Sequence, residues 1–197
     1  MKIIDKEKEK YQKVHTDDYQ YGLGMRKVND LLNENFDFSK RFNELAKKSK
    51  NALDIACGGG TVMDYVDTLG CKPSGIDISE AAIKKVDSQY VAKVAYSHEL
   101  PFDDNTFDLV YFLDGMEHIP GGNIEEQSIR EAFRVSAKFV CHGIALGDSF
   151  RGGTQLHINQ KSAESWRKII GDIANELGWV EDLYYLRNNT VYLIYKK

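Results

Sequence analysis

The feature that most constrains the fold is a glycine-rich run that directly follows a short apolar strand. Residues 53–61 are Leu-Asp-Ile-Ala-Cys-Gly-Gly-Gly-Thr, and apolar residues at helical spacing continue to Leu69 before Gly70. Glycines let the backbone adopt positive φ and approach a ligand closely. The N-terminus of the following helix directs its free N–H groups to the same place. This unit therefore predicts an α/β sheet with a ligand site beyond its first strand.

The rest of the chain alternates strands with helices, which is typical of a parallel sheet covered on both faces. The predicted strands are 51–56, 74–78, 91–96, 107–113 and 139–146, and the predicted helices are 61–69, 79–87, 124–137 and 162–177. Ser79 and Ser162 are the expected N-caps of their helices. Two further strands, 180–186 and 190–195, flank Arg187-Asn188-Asn189 and form a hairpin signal. We predict a three-layer α/β fold with a seven-stranded, mostly parallel sheet and an antiparallel C-terminal hairpin strand.

Composition restricts the class of partner. The 197 residues carry a net charge of −4, which makes nucleic acid an improbable ligand because phosphate binding usually requires a basic face. No apolar run is long enough to cross a bilayer, and the charged N-terminus is unlike a secretory signal, so we expect a cytoplasmic protein without membrane contact. Three cysteines without CxxC spacing indicate neither disulfides nor a zinc site. The oligomeric state stays open.

Two acids flank the glycine loop. Asp77 is expected to end the second strand, where its carboxylate can accept hydrogen bonds from both hydroxyls of a ribose. Asp54 precedes the glycines and can hold the loop or reach an ammonium group. Met63 occupies the position of the third glycine in the dinucleotide fingerprint. An NAD-dependent oxidoreductase is therefore disfavoured.

At this point the sequence resembles the class I S-adenosylmethionine-dependent methyltransferases, which have a Rossmann-like fold. The run LDIACGGG is similar to their first motif, and Gly75-Ile76-Asp77-Ile78-Ser79 is similar to their second. Leu100-Pro101-Phe102, followed by Phe107-Asp108-Leu109-Val110, resembles the LPF and FDLV segment, and Glu117-His118 resembles the Glu-His pair after it. These motifs cover residues 51–120 in the order and spacing of the family.

The resemblance implies S-adenosyl-L-methionine as the cofactor and assigns roles to individual residues. Asp54 and the loop from Ala56 to Gly60 would hold the methionine moiety, Asp77 the ribose, and Ile78 the adenine. Tyr96 stands where many relatives have an adenine-binding Asp, so Ser97 or His98 would supply that contact. Residues 1–50 would form a helical lid or cap over the core at 51–197, with Tyr21 or Arg26 reaching the methionine end. The predicted cofactor-binding residues are Asp54, Ala56, Cys57, Gly58, Gly60, Asp77, Ile78, Ser97, His98, Leu113 and Tyr21.

Polar side chains that can activate an acceptor follow the fourth strand. Asp114, Glu117 and His118 fall at i, i+3 and i+4, and His157 lies in a glycine-rich loop after the fifth strand. In one interpretation His118 or His157 is a general base, and Glu117 is a further catalytic residue. In the other, Asp114, Glu117, His118 and His157 bind Mg²⁺ or Mn²⁺, a pattern that resembles metal-assisted O-methyltransferases, including quinone-pathway and RNA 3′-end enzymes. Because Glu-His organises the loop in many methyltransferases without a metal, no metal is favoured.

We expect a methyltransferase directed to a hydroxyl oxygen of a small molecule or glycan. The segment Thr154–Asn159, with Trp166 after it, resembles small methyltransferases encoded among surface-polysaccharide or phage genes. One alternative is a metal-assisted methyltransferase of an RNA 3′ end or a protein. Another is a nucleotide-binding module without catalysis, against which the polar residues after strand four argue.

Overall fold

The computed structural model describes residues 3–14, 26–33, 35–151 and 153–197. It contains one seven-stranded sheet with the order β3-β2-β1-β4-β5-β9-β8 and a separate two-stranded ribbon, β6-β7. The strands are β1 (Asn51–Ile55), β2 (Lys72–Asp77), β3 (Val91–Val94), β4 (Phe107–Leu113), β5 (Ser136–Ala145), β6 (Phe150–Arg151), β7 (Thr154–Gln155), β8 (Val180–Arg187) and β9 (Thr190–Lys196). The helices are α1 (Ile3–Val14), α2 (Asp37–Lys48), α3 (Thr61–Thr68), α4 (Glu80–Ile83), α5 (Asn123–Val135) and α6 (Ala163–Glu176).

The strand order places a crevice between β1 and β4. The chain runs outward from β1 to β3 and then returns to the other side of β1 as β4. Strands β1 to β5 pair in parallel with one another, whereas β9 is antiparallel to both β5 and β8. In open sheets of this type, ligands bind beyond the carboxyl ends of the strands at the point where the order reverses.

Two hydrophobic clusters cover the two faces of the sheet. Strand β4 shows the alternation directly, since Val110 and Phe112 belong to one cluster while Leu109 and Tyr111 belong to the other. Helices α5 and α6 pack on the first face, where Trp166 is fully buried. Helices α2 and α3 pack on the second face. This arrangement is the three-layer α/β fold that the alternating pattern predicts.

The predicted capping signals are confirmed. Ser79 accepts a hydrogen bond from the Ala82 N–H and Ser162 accepts one from the Ser165 N–H, so each caps its helix. Asn188 and Asn189 both have positive φ, which is the backbone that a two-residue hairpin turn requires. The antiparallel C-terminal hairpin therefore joins the sheet as expected.

Two predicted helix ends are wrong. The helix expected to reach Asp87 stops at Ile83, because Asp87 accepts a hydrogen bond from the Gln89 N–H and stabilises a turn instead. The helix expected to reach Ala137 ends at Val135, and β5 begins at once with Ser136. Pairing with β4 overrides the helical pattern there.

Within the described residues, each helix falls short of the length and apolar character that a membrane span requires.

Candidate functional site

A cavity of about 540 Å³ opens at the carboxyl ends of β1, β2 and β4, a volume typical of sites for small molecules and cofactors. Its walls bring together nearly all the predicted site residues: Asp54, Ala56, Cys57, Gly58, Asp77, Ile78, Ser97, His98, Leu113, Asp114, Glu117, His118 and His157. Gly60 does not line the cavity but begins α3 with a φ of 86°. Tyr21 lies outside the described residues.

Asp77 fastens the glycine loop to the end of β2. One carboxylate oxygen accepts a hydrogen bond from the Gly58 N–H at 3.0 Å, and the other accepts one from the Ser79 N–H at 2.8 Å. A carboxylate oxygen has two lone pairs. Asp77 can therefore hold the loop and still accept a hydrogen bond from a ligand hydroxyl in the cavity.

The backbone of the loop turns sharply directly after β1. Ala56 has a φ of 62°, a conformation that residues with a Cβ usually avoid. It is exposed and lines the cavity. Strained backbone of this kind concentrates at functional sites. Asp54, immediately before the turn, is almost fully buried, and its burial together with the charge of Asp77 raises its pKa well above the usual range.

Met63 explains how α3 packs closely on the sheet without the third glycine of a dinucleotide loop. A Cβ added to Gly75 on β2 would lie 2.7 Å from the Met63 sulfur and 2.8 Å from the Cys57 sulfur. The close contact between helix and strand thus depends on a glycine on the strand, Gly75, and on a large side chain on the helix, Met63. The sequence singled out Met63 but did not indicate that it packs against Gly75.

The cavity wall offers contacts for a flat ring. Ile78, after β2, is half-buried and lines the cavity, as do Tyr96 and His98, whose ring centroids lie 5.4 Å apart. The Ser97 hydroxyl shares a hydrogen bond with the Ser128 hydroxyl of α5 at 2.9 Å. Of the two residues predicted to replace the missing Asp, His98 thus pairs with a ring and Ser97 with another hydroxyl.

The cavity wall also contains a cluster of one carboxylate and two imidazoles. Met116–His118 form a short 3-10 turn after β4, which places Glu117 and His118 side by side. His157 approaches from the loop after β7, and the two imidazole centroids lie 4.9 Å apart. One ligand atom from each of Glu117, His118 and His157 lies within 4.8 Å of the others. We call these three residues the polar cluster.

Backbone carbonyls orient both imidazoles. Nδ1 of His118 lies 3.0 Å from the Leu156 carbonyl oxygen, and Nδ1 of His157 lies 2.7 Å from the Gly147 carbonyl oxygen. Burial lowers the pKa of His118 to about 4. Glu117 is also buried, and this burial, followed by the charge of Asp114, raises the pKa of its carboxyl well above the usual range.

Asp114 differs from the other predicted metal ligands. It precedes the 3-10 turn with a φ of 54°, and its carboxylate forms an ion pair with the Lys27 ammonium at 2.8 Å. Burial alone would lower the pKa of Lys27, but the charge of Asp114 outweighs this effect and raises it. Sequence reasoning missed Lys27, because nothing in its local pattern distinguishes this buried lysine from an exposed one.

Helix α1 contributes Glu7 and Tyr11 to the wall of the cavity. Its Gln12 side-chain oxygen accepts hydrogen bonds from the Ala81 N–H at 3.0 Å and the Ser79 hydroxyl at 3.2 Å. The Tyr11 ring packs edge-on against the His118 ring, with centroids 5.4 Å apart. One short helix therefore contacts both the start of α4 and the polar cluster.

Comparison with known proteins gives a consistent assignment. Residues 53–138 match the family described as Methyltransferase domain. The norajmaline N-methyltransferase of Rauvolfia serpentina is 34% identical over 54% of this chain and 39% of its own length. Phosphoethanolamine N-methyltransferase 2 of Caenorhabditis elegans is 28% identical over 88% of this chain and 42% of its own length. The chain spans about two fifths of the length of these curated relatives.

Solved structures share the fold. A S-adenosylmethionine-dependent methyltransferase from Aquifex aeolicus superimposes with a TM-score of 0.59 at 18% identity, over 87% of this chain and 96% of the other. The magnesium protoporphyrin IX methyltransferase from Synechocystis PCC 6803, solved with S-adenosylmethionine bound, gives 0.57 at 18% identity over 74% and 69% of the two chains. At this level of identity the similarity shows the fold alone.

Proposed function

We propose that this chain, which has the class I S-adenosylmethionine-dependent methyltransferase fold and contains a Methyltransferase domain, transfers a methyl group from S-adenosylmethionine to a hydroxyl oxygen. The acceptor in this proposal is a small molecule or a glycan. Residues 51–197 form the catalytic core, and residues 1–50 form a lid or cap over it.

The observation that carries the proposal is one continuous cavity that is lined both by a cofactor cradle and by the polar cluster. The cradle consists of the strained loop at Ala56–Gly58 and the carboxylate of Asp77 that holds it. Asp54, immediately before the same loop, also lines the cavity and can accept a hydrogen bond from an amino group there. Leu113, at the end of β4, lines the same cavity.

Methyl transfer from S-adenosylmethionine mainly requires the protein to position the acceptor. The positive sulfur already activates the methyl group, so the protein must align the acceptor with the carbon–sulfur bond at near-attack distance. The acceptor attacks the methyl carbon, the bond to sulfur breaks, and S-adenosylhomocysteine leaves. A hydroxyl acceptor must also lose a proton.

The polar cluster favours oxygen over other acceptor atoms. A neutral amine attacks through its own lone pair, whereas a hydroxyl requires a base or a cation that lowers its pKa. His118 and His157, with Glu117 beside them, are the groups placed to meet this requirement. Relatives with named activities include N- and O-methyltransferases, so the residues of the cluster, rather than the relatives, support this choice.

The test is methyl transfer from S-adenosylmethionine that carries a ¹³C-labelled methyl group. The acceptor panel contains small molecules with a hydroxyl group, an amino group or a nucleophilic carbon atom. We expect the label in an O-methyl group, identified by its carbon chemical shift. His157→Ala should reduce turnover at least tenfold, whereas Gln127→Ala on the exposed surface of α5 should not change it. Label found only on nitrogen or carbon would contradict the proposal.

A further inference from the structure

We propose that Arg187 binds an anionic group of the methyl acceptor, a carboxylate or a phosphate, close to the polar cluster. This inference names the chemical class of the acceptor and therefore rests on the proposed function. The acceptor would carry two groups, a hydroxyl that is methylated and a negative charge that Arg187 binds. Arg187 is the last residue of β8, is partly buried and lines the cavity.

The first argument is the absence of an acidic partner for Arg187. Four other arginines, none of which lines the cavity, each form an ion pair with a carboxylate: Arg41, Arg130, Arg134 and Arg167. Among the described residues, no carboxylate forms an ion pair with Arg26 or Arg187, and both of these arginines line the cavity. A guanidinium is always charged and binds a carboxylate or a phosphate through two parallel hydrogen bonds.

The second argument is the way in which the guanidinium is held. Its central carbon lies 4.8 Å from the centroid of the Phe36 ring, which is buried. Phe36 packs edge-on against Tyr192, with centroids 4.9 Å apart, and both rings line the cavity. Because the planar guanidinium already rests on an aromatic ring, Arg187 loses little side-chain freedom when it binds an anion.

The third argument is the short distance from Arg187 to the polar cluster. Arg187 pairs with Thr190 of β9, and Thr190 pairs with Ala145 of β5. The Ala145 N–H donates a hydrogen bond to Oε1 of Glu117 at 3.3 Å. Neighbouring strands lie about 4.8 Å apart, so the Cα atoms of Arg187 and Ala145 are separated by about 10 Å. A small acceptor whose hydroxyl lies at the polar cluster is therefore within reach of the Arg187 side chain.

The cofactor also carries a carboxylate, but the sheet separates the glycine loop from Arg187. The loop follows β1, and the strand order β1-β4-β5-β9-β8 puts β8 four strands away. Four strand spacings amount to about 19 Å, which is more than an extended arginine side chain spans. The position of Arg187 therefore favours an anion on the acceptor over the carboxylate of a methionine moiety held by the loop.

The acids of the cavity wall leave Arg187 available. Asp114 is paired with the Lys27 ammonium, and Asp148 accepts hydrogen bonds from two side-chain amides. Asp30 also lines the cavity, but within the described structure it forms no ion pair with Arg187. Arg187 thus supplies a positive charge that no ion pair with a described side chain neutralises.

The experiment titrates hydroxylated acids into the full chain saturated with S-adenosylhomocysteine. The probes are 4-hydroxybenzoate for a carboxylate and 4-hydroxyphenyl phosphate for a phosphate, and methyl 4-hydroxybenzoate is the neutral counterpart. We expect at least one anion to bind about tenfold or more tightly than the ester, because charge-assisted hydrogen bonds to a guanidinium are strong. Arg187→Met should remove this preference, since methionine keeps an apolar contact with Phe36 but carries no charge. Arg187→Lys should retain part of it.

The matched control is Arg167→Met. The Arg167 guanidinium also lies over an aromatic ring, 4.3 Å from the Tyr184 centroid, but it is paired with Glu181 and does not line the cavity. The control should prefer the anion as the unmodified protein does, and circular dichroism checks that each variant folds. The inference is overturned if neither anion binds more tightly than the ester, or if Arg187→Met retains the preference.

The affinity for S-adenosylhomocysteine alone separates the acceptor from the cofactor. Arg187→Met should bind this ligand as tightly as the unmodified protein, and a tenfold loss would assign Arg187 to the cofactor and overturn the inference. The proposed function fails or holds separately, by the position of the ¹³C label. A chain that methylates oxygen without preferring anions retains the function, whereas a chain that prefers anions through Arg187 but methylates only nitrogen retains the anion site.

Discussion

Burial determines the protonation of His142 on β5. Its side chain is completely buried, and the Phe112 and Phe133 ring centroids each lie 6.3 Å from its own. Within the described part of the chain, neither of its ring nitrogens has a hydrogen-bond partner. Burial lowers its pKa from 6.5 to about 4, so the folded protein holds this ring neutral.

This histidine predicts a loss of stability in acid. As the pH falls below 6.5 the unfolded chain takes up the proton first, so the free energy of unfolding decreases between pH 6.5 and 4. The expected loss from this group is about 2 kcal/mol at pH 5 relative to pH 7.5. His142→Leu should remove that loss and also remove an unsatisfied buried polar group.

Urea unfolding at pH 7.5 and pH 5 measures both effects. The variant should be at least as stable as the unmodified protein at pH 7.5, and its free energy of unfolding should decrease less at pH 5. Parallel decreases in the two proteins would show that His142 is not the responsible group.

Among single residues, those at the carboxyl ends of strands were the most predictable. Asp54 and Asp77 could be identified from the sequence because a carboxylate at the end of a buried strand must face the ligand edge of the sheet. Lys27 and His142 could not, since their properties depend on burial by residues distant in the chain. The pairing of Asp114 with Lys27 likewise depends on how residues far apart in the chain meet in the fold.

At the scale of elements, α1 predicts a coupling between the lid and the cofactor. Gln12 attaches this helix to the start of α4, next to the Ser79 that Asp77 holds. If α1 closes over bound cofactor, Gln12→Ala should weaken S-adenosylhomocysteine binding by roughly five- to thirtyfold, since one or two hydrogen bonds are lost and each is worth about 1 kcal/mol.

Isothermal calorimetry checks this prediction, with Gln127→Ala as a matched control on an exposed helical surface. The control should bind like the unmodified protein. Equal affinity in Gln12→Ala would show that α1 is not part of the closed site, and the proposal that residues 1–50 act as a lid would then lose its support.

The sequence was a reliable guide to which elements exist and less reliable for where they end. Ser162 fixes the start of α6 through a local hydrogen bond, and the positive φ of Asn188 and Asn189 fixes the turn between β8 and β9. Both signals are local and can be identified in the sequence. The ends of α4 and α5 depend on a competing side-chain turn at Asp87 and on pairing of β5 with β4. The β6-β7 ribbon was not predicted, because its two-residue strands carry no detectable periodicity.

At the scale of the whole molecule, strand order explains why distant residues form one site. The reversal between β1 and β4 brings the glycine loop, Asp77 and the polar cluster to a single edge of the sheet. Alternating strands and helices predicted this sheet, and the motifs predicted its cradle. The meeting of His118 with His157 was foreseen only as a convergence at that edge, because the fold of the loop after β5 is not visible in the sequence.

The central claim is that the loop held by Asp77 binds the adenosyl amino acid, and calorimetric titration tests it most directly. We expect S-adenosylhomocysteine to bind the unmodified protein with one site per chain, and NAD not to bind. Asp77→Asn should weaken binding at least tenfold, because an amide nitrogen cannot accept the hydrogen bonds that the carboxylate oxygens accept. Asp87→Asn, at an exposed turn where the carboxylate also accepts a backbone hydrogen bond, should bind normally. Binding of NAD without S-adenosylhomocysteine, or unchanged affinity in Asp77→Asn, would contradict the account.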